Sequence, residues 1–329
     1  MNTVTIDRLL CLLDVQMHAL ALCEVSHGTG LRLPGMEAVL VHYILEGSGV
    51  LILEDGTTVA FGPDTLIFLP PGASHDMAET RETPSLITWK DVATPLGDGM
   101  MRFATEGPST AILSAWGTIS ADCGGLDLFE RLREPVCEDL SGSPVVRSAF
   151  ELMLKEMQGP RFGTRPLAEA LMKQCLILAV RNQIERGEMK LMPVFGLRDP
   201  RLVQALLAMM EDPARDHSLE DLTKQSGMSR SLFAERFAEA FQRPAMDLLK
   251  QIRLHRSAQL LRGTNLPVQM IALTVGYASR SYFSRAFKDA YGADPKTFRD
   301  EARSTAHPKS SRQEARSTKE TGNGQQTRH

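Results

Sequence analysis

Two short stretches place hydrogen-bonding side chains in matching positions. MSRSLFAERFAEAF begins at Met228 and ASRSYFSRAFKDAY begins at Ala278; at a shift of 50 they agree at Ser229/Ser279, Arg230/Arg280, Ser231/Ser281, Phe233/Phe283, Phe237/Phe287 and Ala240/Ala290. In each, the two Phe residues lie four apart, so on a helix they share one side and form its core face. The other side carries Ser231, Ala234, Glu235 and Ala238 in the first copy, with Ser229 and Arg230 at the helix start also candidates for DNA contact, and Arg280, Ser281, Ser284, Arg285 and Lys288 in the second. These groups suit the edges of nucleic-acid bases. Arg can bond guanine bidentately, Ser can donate or accept, Glu can accept from cytosine N4, and Ala can touch a thymine methyl.

Such groups need elements that present them. LEDLTKQSGMS precedes the first stretch and VQMIALTVGYAS the second. At a shift of 49, Leu222 meets Ile271, Thr223 meets Ala272, Ser226 meets Val275 and Gly227 meets Gly276. Each unit therefore reads as a helix, a Gly-containing corner and a second helix capped by Ser229 or Ser279, which is the grammar of a helix-turn-helix. Between the units runs RPAMDLLKQIRLHRSAQLLRG, with Pro244 suited to a first helical turn, Gly263 suited to a C-cap, and Lys250, Arg253, Arg256 and Arg262 along it. About 18 residues at ~1.5 Å each make a rod of ~27 Å. A rod of that length suits two recognition helices spaced by about one turn of a duplex, ~34 Å, so one chain could read two successive major-groove segments. A lone unit of this kind also occurs as a plain structural corner; the duplication and the rod are what point to double-stranded DNA.

These residues carry a resemblance. SLEDLTKQSGMSRSLFAERF, QIRLHRSAQLL and IALTVGYASRSYFSRAFKDAYGADPKTFR, with the closing Gly292, Pro295 and Arg299, resemble the DNA-binding domain of the AraC/XylS family of transcription regulators over residues 199 to 299. The resemblance implies that the second helix of each unit lies in the major groove. By position it assigns base contact to Ser231, Ala234 and Glu235 and to Arg280, Ser281, Ser284 and Arg285. It also implies activation through contact with RNA polymerase. Thr223 and Ser257 stand where Ala is usual, and the small, uncharged Ser231 and Ala234 leave the first helix's base preference open.

The front of the chain has another texture. AVLVHYILEGSGVLILEDGTTVAFGPDTLIFLPPG alternates short β-rich runs with Gly-Ser-Gly, Glu-Asp-Gly and Gly-Pro-Asp turns, the pattern of an antiparallel sandwich or barrel. LEGSG at Leu45 and PPGASH from Pro70 to His75 resemble the cupin-type sensor domain. The metal-ligand positions of that family fall at Pro34, Met36 and Leu40, none of which can bind a metal, and His75 alone makes no metal site. The expectation is therefore no metal and no cofactor. If Leu40 points inward, so do His42 and Ile44, and His42, His75 and Trp89 become candidates to line a pocket for a small-molecule effector of unknown identity. The plain alternative is that these histidines satisfy local backbone groups.

Composition bounds the rest. A hydrophobic fraction of 43% and a charged fraction of 23% are those of an ordinary folded chain. The net charge of −3 is uneven: residues 200–329 hold 21 Lys+Arg and 14 Asp+Glu, so the front is acidic and the back basic. No membrane-spanning run or signal peptide is read, and the expected location is cytoplasmic. Five cysteines without CxxC spacing read as reduced thiols, with Cys23 and Cys123 the candidates for redox sensing.

The helical pattern from 144 to 190, with apolar Leu167, Leu171, Cys175, Leu178 and Ile184, reads either as the seam of a homodimer or as packing within the chain. The expected fold class is α+β. An N-terminal cupin-like β-barrel spans 1–95, connecting and dimerisation helices 96–198, an all-α domain of two helix-turn-helix units joined by a linker helix 199–302, and a disordered tail 303–329. The expected function is a non-enzymatic transcription regulator, an activator, controlled by a signal sensed in the front domain. The rivals are a cupin-type metalloenzyme fused to a DNA-binding module and a constitutive regulator whose front only dimerises.

Overall fold

The computed structural model describes residues 3–82, 85–96, 100–159, 161–188, 190–191 and 198–306. These divide into two compact units. Of the described residues, those up to Glu211 and 217–248 form the first, and 212–216 and 249–306 the second.

In the first unit, helix α1 (Thr3–Cys11) leads into β1 (Leu13–Ser26), β2 (Thr29–Leu33), β3 (Val39–Glu46), β4 (Gly49–Leu53), β5 (Thr58–Phe61), β6 (Thr65–Leu69), β7 (His75–Ala78) and β8 (Ser85–Thr88). A short helix α2 (Trp89–Val92) precedes β9 (Ala93–Pro95), β10 (Met100–Ala104), β11 (Thr110–Cys123), β12 (Leu126–Asp127) and β13 (Val136–Asp139). Two sheets result. One runs β13-β6-β3-β11-β1-β10-β9, with β12 paired to β11; the other runs β5-β4-β7-β2-β8. Their facing sides share a core of Cys23, Leu31, Leu40, Ile44, Leu51, Ile67, Met77, Phe103 and Trp116, among others. This is the cupin-like sandwich expected from the front's alternating runs.

The sheet extends past the boundary expected at residue 95. β10 to β13 lie inside the segment assigned to connecting helices, which turns helical only at α3 (Pro144–Gln158) and α4 (Thr164–Glu185). The physical reason lies in β11. Its centre is buried on both faces over Ser114–Ile119, so it lacks the alternation that marks a half-exposed strand.

β3 is likewise buried from Val39 to Leu45. Leu40, His42 and Ile44 face the other sheet, while Tyr43 stacks on Phe150 of α3 with ring centroids 4.3 Å apart. The Tyr43 hydroxyl donates to Asp64 at 2.6 Å. Arg147 of α3 donates to the same carboxylate at 2.9 Å and to the carbonyl of Leu45 at 2.8 Å. Both neutral amides Asn182 and Gln183 of α4 donate to the buried Glu138 of β13, at 2.5 and 2.8 Å. These bonds lock the helical pair to the sheet that carries His42. The LEGSG turn also needs its glycine: Gly47 has φ +85°, and a Cβ there would lie 1.9 Å from the carbonyl oxygen of Ala111.

The helical remainder begins with α5 (Pro200–Glu211), α6 (Leu219–Ser226) and α7 (Arg230–Phe241), all in the first unit. Ser218 caps α6 in a reciprocal box with Asp221, and Gly227 closes it with φ +62°. Helix α8 (Ala245–Gly263) runs unbroken across the boundary between the compact units. The second unit then holds α9 (Val268–Thr274), α10 (Arg280–Tyr291) and α11 (Pro295–Ala306), packed on Leu254, Ala258, Leu261, Ile271, Val275, Phe283 and Phe287. Because α11 continues through Ala306, residues 303–306 are helical rather than part of a disordered tail; residues 307–329 of that expected tail lie outside the described residues.

Candidate nucleic-acid interface and front-domain pocket

Each second helix of the duplicated units begins as its serine requires. Ser229 Oγ accepts from the Leu232 amide at 3.4 Å, and Ser279 Oγ accepts from the Tyr282 amide at 3.3 Å. Phe233 and Phe237 of α7, and Phe283 and Phe287 of α10, are fully buried, so the opposite sides are turned outward. Arg230, Ser231, Ala234 and Glu235 are exposed on α7. On α10, Arg280, Ser281, Arg285 and Lys288 are exposed and Ser284 is half-buried. Among the described residues no ion pair within 4.0 Å involves Arg280, Arg285 or Lys288, although Lys288 is near enough to Asp294 to favour its charged form, so the face presents three exposed cations.

The hydroxyls at the two unusual positions are harmless. Thr223 Oγ1 donates to the carbonyl of Glu220 at 2.8 Å and Ser257 Oγ to that of Leu254 at 2.7 Å, which satisfies both without a distant partner. Along α8 the cations differ in use. Lys250 and Arg256 are exposed, Arg262 lies 4.8 Å over the Phe298 ring, and Arg253 donates to the carbonyls of Pro213 and Arg215 at 2.7 and 3.0 Å. Arg253 is thus committed to its own unit.

Sequence reasoning overlooked Tyr282. It lies between Ser281 and Ser284 and is 58% exposed, with its ring 5.9 Å from Tyr277. The available signal was its position, since an aromatic stands on the polar side of an otherwise amphipathic helix; Leu232 is its counterpart in α7.

In the front domain, His42 and His75 do meet. His75 Nδ1 lies 3.2 Å from the carbonyl of Ala73, which can only accept, so that nitrogen holds the proton. Its Nε2 then accepts from His42 Nε2 at 2.9 Å, and His42 Nδ1 lies 3.2 Å from the Ser114 hydroxyl, which also lies 3.3 Å from the carbonyl of Ala115. Burial disfavours the charged form of both rings: His42 is held well below the usual histidine range, and His75 is lowered to about 4, with the bond to Ala73 working the other way. The pair is neutral and internally satisfied.

Trp89 is partly buried, with its ring 6.1 Å from Phe103, and with His75 it lines an open cavity of about 540 Å³. Arg32 and Asp76, joined by bonds of 2.8 and 3.0 Å, lie on the same wall. The tryptophan beside His42 is instead Trp116, its ring 6.4 Å away and its buried Nε1 without a hydrogen-bond partner among the described residues. It sits in the middle of β11, where the missing alternation hid it.

The redox candidates do not fit a sensor. Cys23 and Cys123 are buried; burial pushes the Cys23 thiol strongly up and the Cys123 thiol up to about 12, which opposes the reactive thiolate. In α4, Cys175 belongs to the chain's own core, Leu171 and Leu178 are half-buried, and Leu167 and Ile184 are exposed.

Comparison with known proteins agrees with this geometry. A family profile described as a helix-turn-helix domain matches residues 222–301, and one described as cupin matches residues 5–185. The HTH-type transcriptional regulator AlkR of Acinetobacter baylyi is 28% identical over 278 residues, covering 81% of this chain and 89% of that protein. The RCS-specific HTH-type transcriptional activator RclR of Escherichia coli is 24% identical, covering 86% and 90%. Among solved structures, the C-terminal domain of AraT, a response regulator from Geobacillus stearothermophilus, is 30% identical and covers 31% of this chain and 85% of that one, with a TM-score of 0.30.

Proposed function

The chain belongs to the AraC-type DNA-binding transcription regulators that carry a cupin domain at the front, and on that premise we propose that it activates transcription in response to a small molecule bound by its front domain. Reading of bases falls to Ser231, Ala234 and Glu235 in α7 and to Arg280, Ser281, Ser284 and Arg285 in α10, with Ser229, Arg230 and Lys288 at the borders of the contact. The observation that carries this reading is the exposed face of α10, where Arg280, Arg285 and Lys288 stand outward and, among the described residues, Arg280 and Arg285 form no ion pair. An unpaired cation on a helix capped at its N-terminus is a ready ligand for a base edge or a phosphate.

The effector site is assigned to the cavity bounded by His75 and Trp89, with His42 behind His75. A ligand that binds one state of this domain better than the other would shift the protein toward the DNA-binding state. Contact with RNA polymerase follows from the activator role. A homodimer formed across the exposed Leu167 and half-buried Leu171 and Leu178 would double the length of site read. No helix among the described residues is long and apolar enough to cross a membrane, and a cytoplasmic location agrees with the proposed DNA-bound role.

The internal satisfaction of the His42–His75 pair favours a second reading, in which the front domain dimerises and senses nothing. Thermal-shift screening with small-molecule collections separates the two: a ligand that raises the melting temperature and changes DNA affinity supports sensing, and stabilisation without any change in DNA affinity supports the second reading. For base recognition, Arg285→Ala is expected to weaken binding to the cognate site by about 1–3 kcal/mol more than binding to random DNA. Equal loss on both would mean that Arg285 touches phosphate alone.

A further inference from the structure

The two duplicated units end their recognition helices differently. At the shift of 50 that aligns them, Gln242 corresponds to Gly292 and Arg243 to Ala293. Gly292 closes α10 in the ordinary way, with φ +75° and its amide bonded to the carbonyl of Lys288. Gln242 takes the same left-handed conformation, φ +57°, and Asp64 is the only other non-glycine residue among those described to do so. A side chain there is disfavoured relative to glycine. The chain closes this end only in part: Gln242 Nε2 donates to the carbonyl of Glu239 at 2.9 Å and Arg243 Nε to that of Phe241 at 3.4 Å.

Further bonds to this end come from the front domain, within the same compact unit. Arg131 Nη1 donates to the carbonyls of Glu239 and Ala240 at 2.6 and 2.8 Å, the last carbonyls of α7. A guanidinium at a helix C-terminus also meets the negative end of the helix dipole. Next to it, Arg243 Nη2 lies 2.8 and 2.9 Å from the two carboxylate oxygens of Glu130. Glu130 and Arg131 sit on the connection between β12 and β13. That connection is rooted in the sheet: Phe129 is buried with its ring 5.5 Å from that of Phe68 in β6, and Leu132 is fully buried. The second unit has Ala293 where the first has Arg243, so it cannot form the equivalent ion pair.

We propose that the β12–β13 connection is a latch on the first helix-turn-helix unit: Glu130 and Arg131 grip the C-terminal end of α7 and thereby make the position of the first recognition helix depend on the state of the front domain. This rests on the regulator reading. The reading residues Ser231, Ala234 and Glu235 lie in the other half of α7 and stay exposed while the latch is closed, so the closed latch positions the helix for DNA rather than covering it.

The test uses the full chain in four variants: Arg131→Ala, Glu130→Arg, Arg243→Glu, and the last two together. Hydrogen exchange is followed at the amides of residues 238–243. Binding is measured to the tightest duplex selected from a random-sequence pool and to random DNA. Each single variant should exchange about tenfold faster at these amides and bind the selected duplex about tenfold more weakly, with little change on random DNA. The double charge reversal should return both toward the parent protein. Unchanged exchange in all single variants, or a double variant no better than the worse single, would overturn the latch.

Adding Gln242→Gly to Arg131→Ala separates a latch from a simple cap. The glycine should restore protection of the helix end but not DNA affinity; restoration of both would reduce Arg131 to a cap and refute the proposal. If the parent protein prefers the selected duplex no more than random DNA, the regulator reading fails, and the exchange measurements still decide the latch on their own.

Discussion

At the level of single residues, the histidine pair has a consequence for stability. His75 titrates near 4 in the folded protein against 6.5 when free, because burial penalises its charge. Between those values the unfolded chain binds more protons than the folded one, so stability is complete above about pH 6.5 and is lost as the pH falls toward 4. A shift of this size corresponds to about 3 kcal/mol at the acid end. Urea midpoints should therefore drop clearly between pH 7.5 and pH 5, and a His42→Gln, His75→Gln chain should lack most of that slope. Identical midpoints in the parent protein at both pH values would contradict the buried, neutral chain from Ser114 to Ala73. Gly47 makes a second residue-scale demand: Gly47→Val forces a Cβ into the carbonyl of Ala111, and it should cost about 2 kcal/mol or more in thermal unfolding of the front domain.

At the level of elements, the helix-turn-helix units depend on aromatic stacks. Phe287 is fully buried, with ring centroids 5.7 Å from Phe283, 4.6 Å from Tyr291 and 5.2 Å from Phe298. Phe287→Ala should destabilise the second unit by about 3–5 kcal/mol, while Ser279→Ala, which removes only the cap of α10, should cost about 1 kcal/mol; chemical denaturation of the two variants checks both the order and the ratio. These elements were readable from sequence because a helix that packs one face repeats its Phe residues four apart, and because serine and glycine mark its ends. The strands after residue 95 were not. β11 is covered on both sides and uses small residues such as Ser114, Ala115 and Gly117 where neighbours approach, so no period-two signal survives. The same loss hid Trp116. His42 and His75 could be paired only because strand parity carried over from Leu40, and nothing local in the sequence tied Arg131 to α7, since 108 positions separate Arg131 from Glu239.

At the level of the whole molecule, the proposal assigns sensing to the front and reading to two helices joined by the unbroken α8. In the proposed homodimer, the exposed Leu167 on α4, beside half-buried Leu171 and Leu178, would be the face offered to a second copy. Leu167→Glu should turn a dimer into a monomer by sedimentation while leaving the chain folded by circular dichroism, because the side chain is not part of the chain's own core, and any fall in the unfolding midpoint should follow the loss of the dimer; a parent protein that sediments as a monomer at tens of micromolar would remove the seam.

The claim on which the regulator reading depends is that one chain reads two successive major-groove segments. Its most direct test is base-by-base interference mapping on the tightest selected duplex, with Glu235→Ala and Arg285→Ala compared with the parent protein. The expected result is two protected segments about 10–10.5 base pairs apart, with Glu235→Ala relaxing preference in one and Arg285→Ala in the other. A single protected segment, or two variants that both relax the same bases, would contradict it.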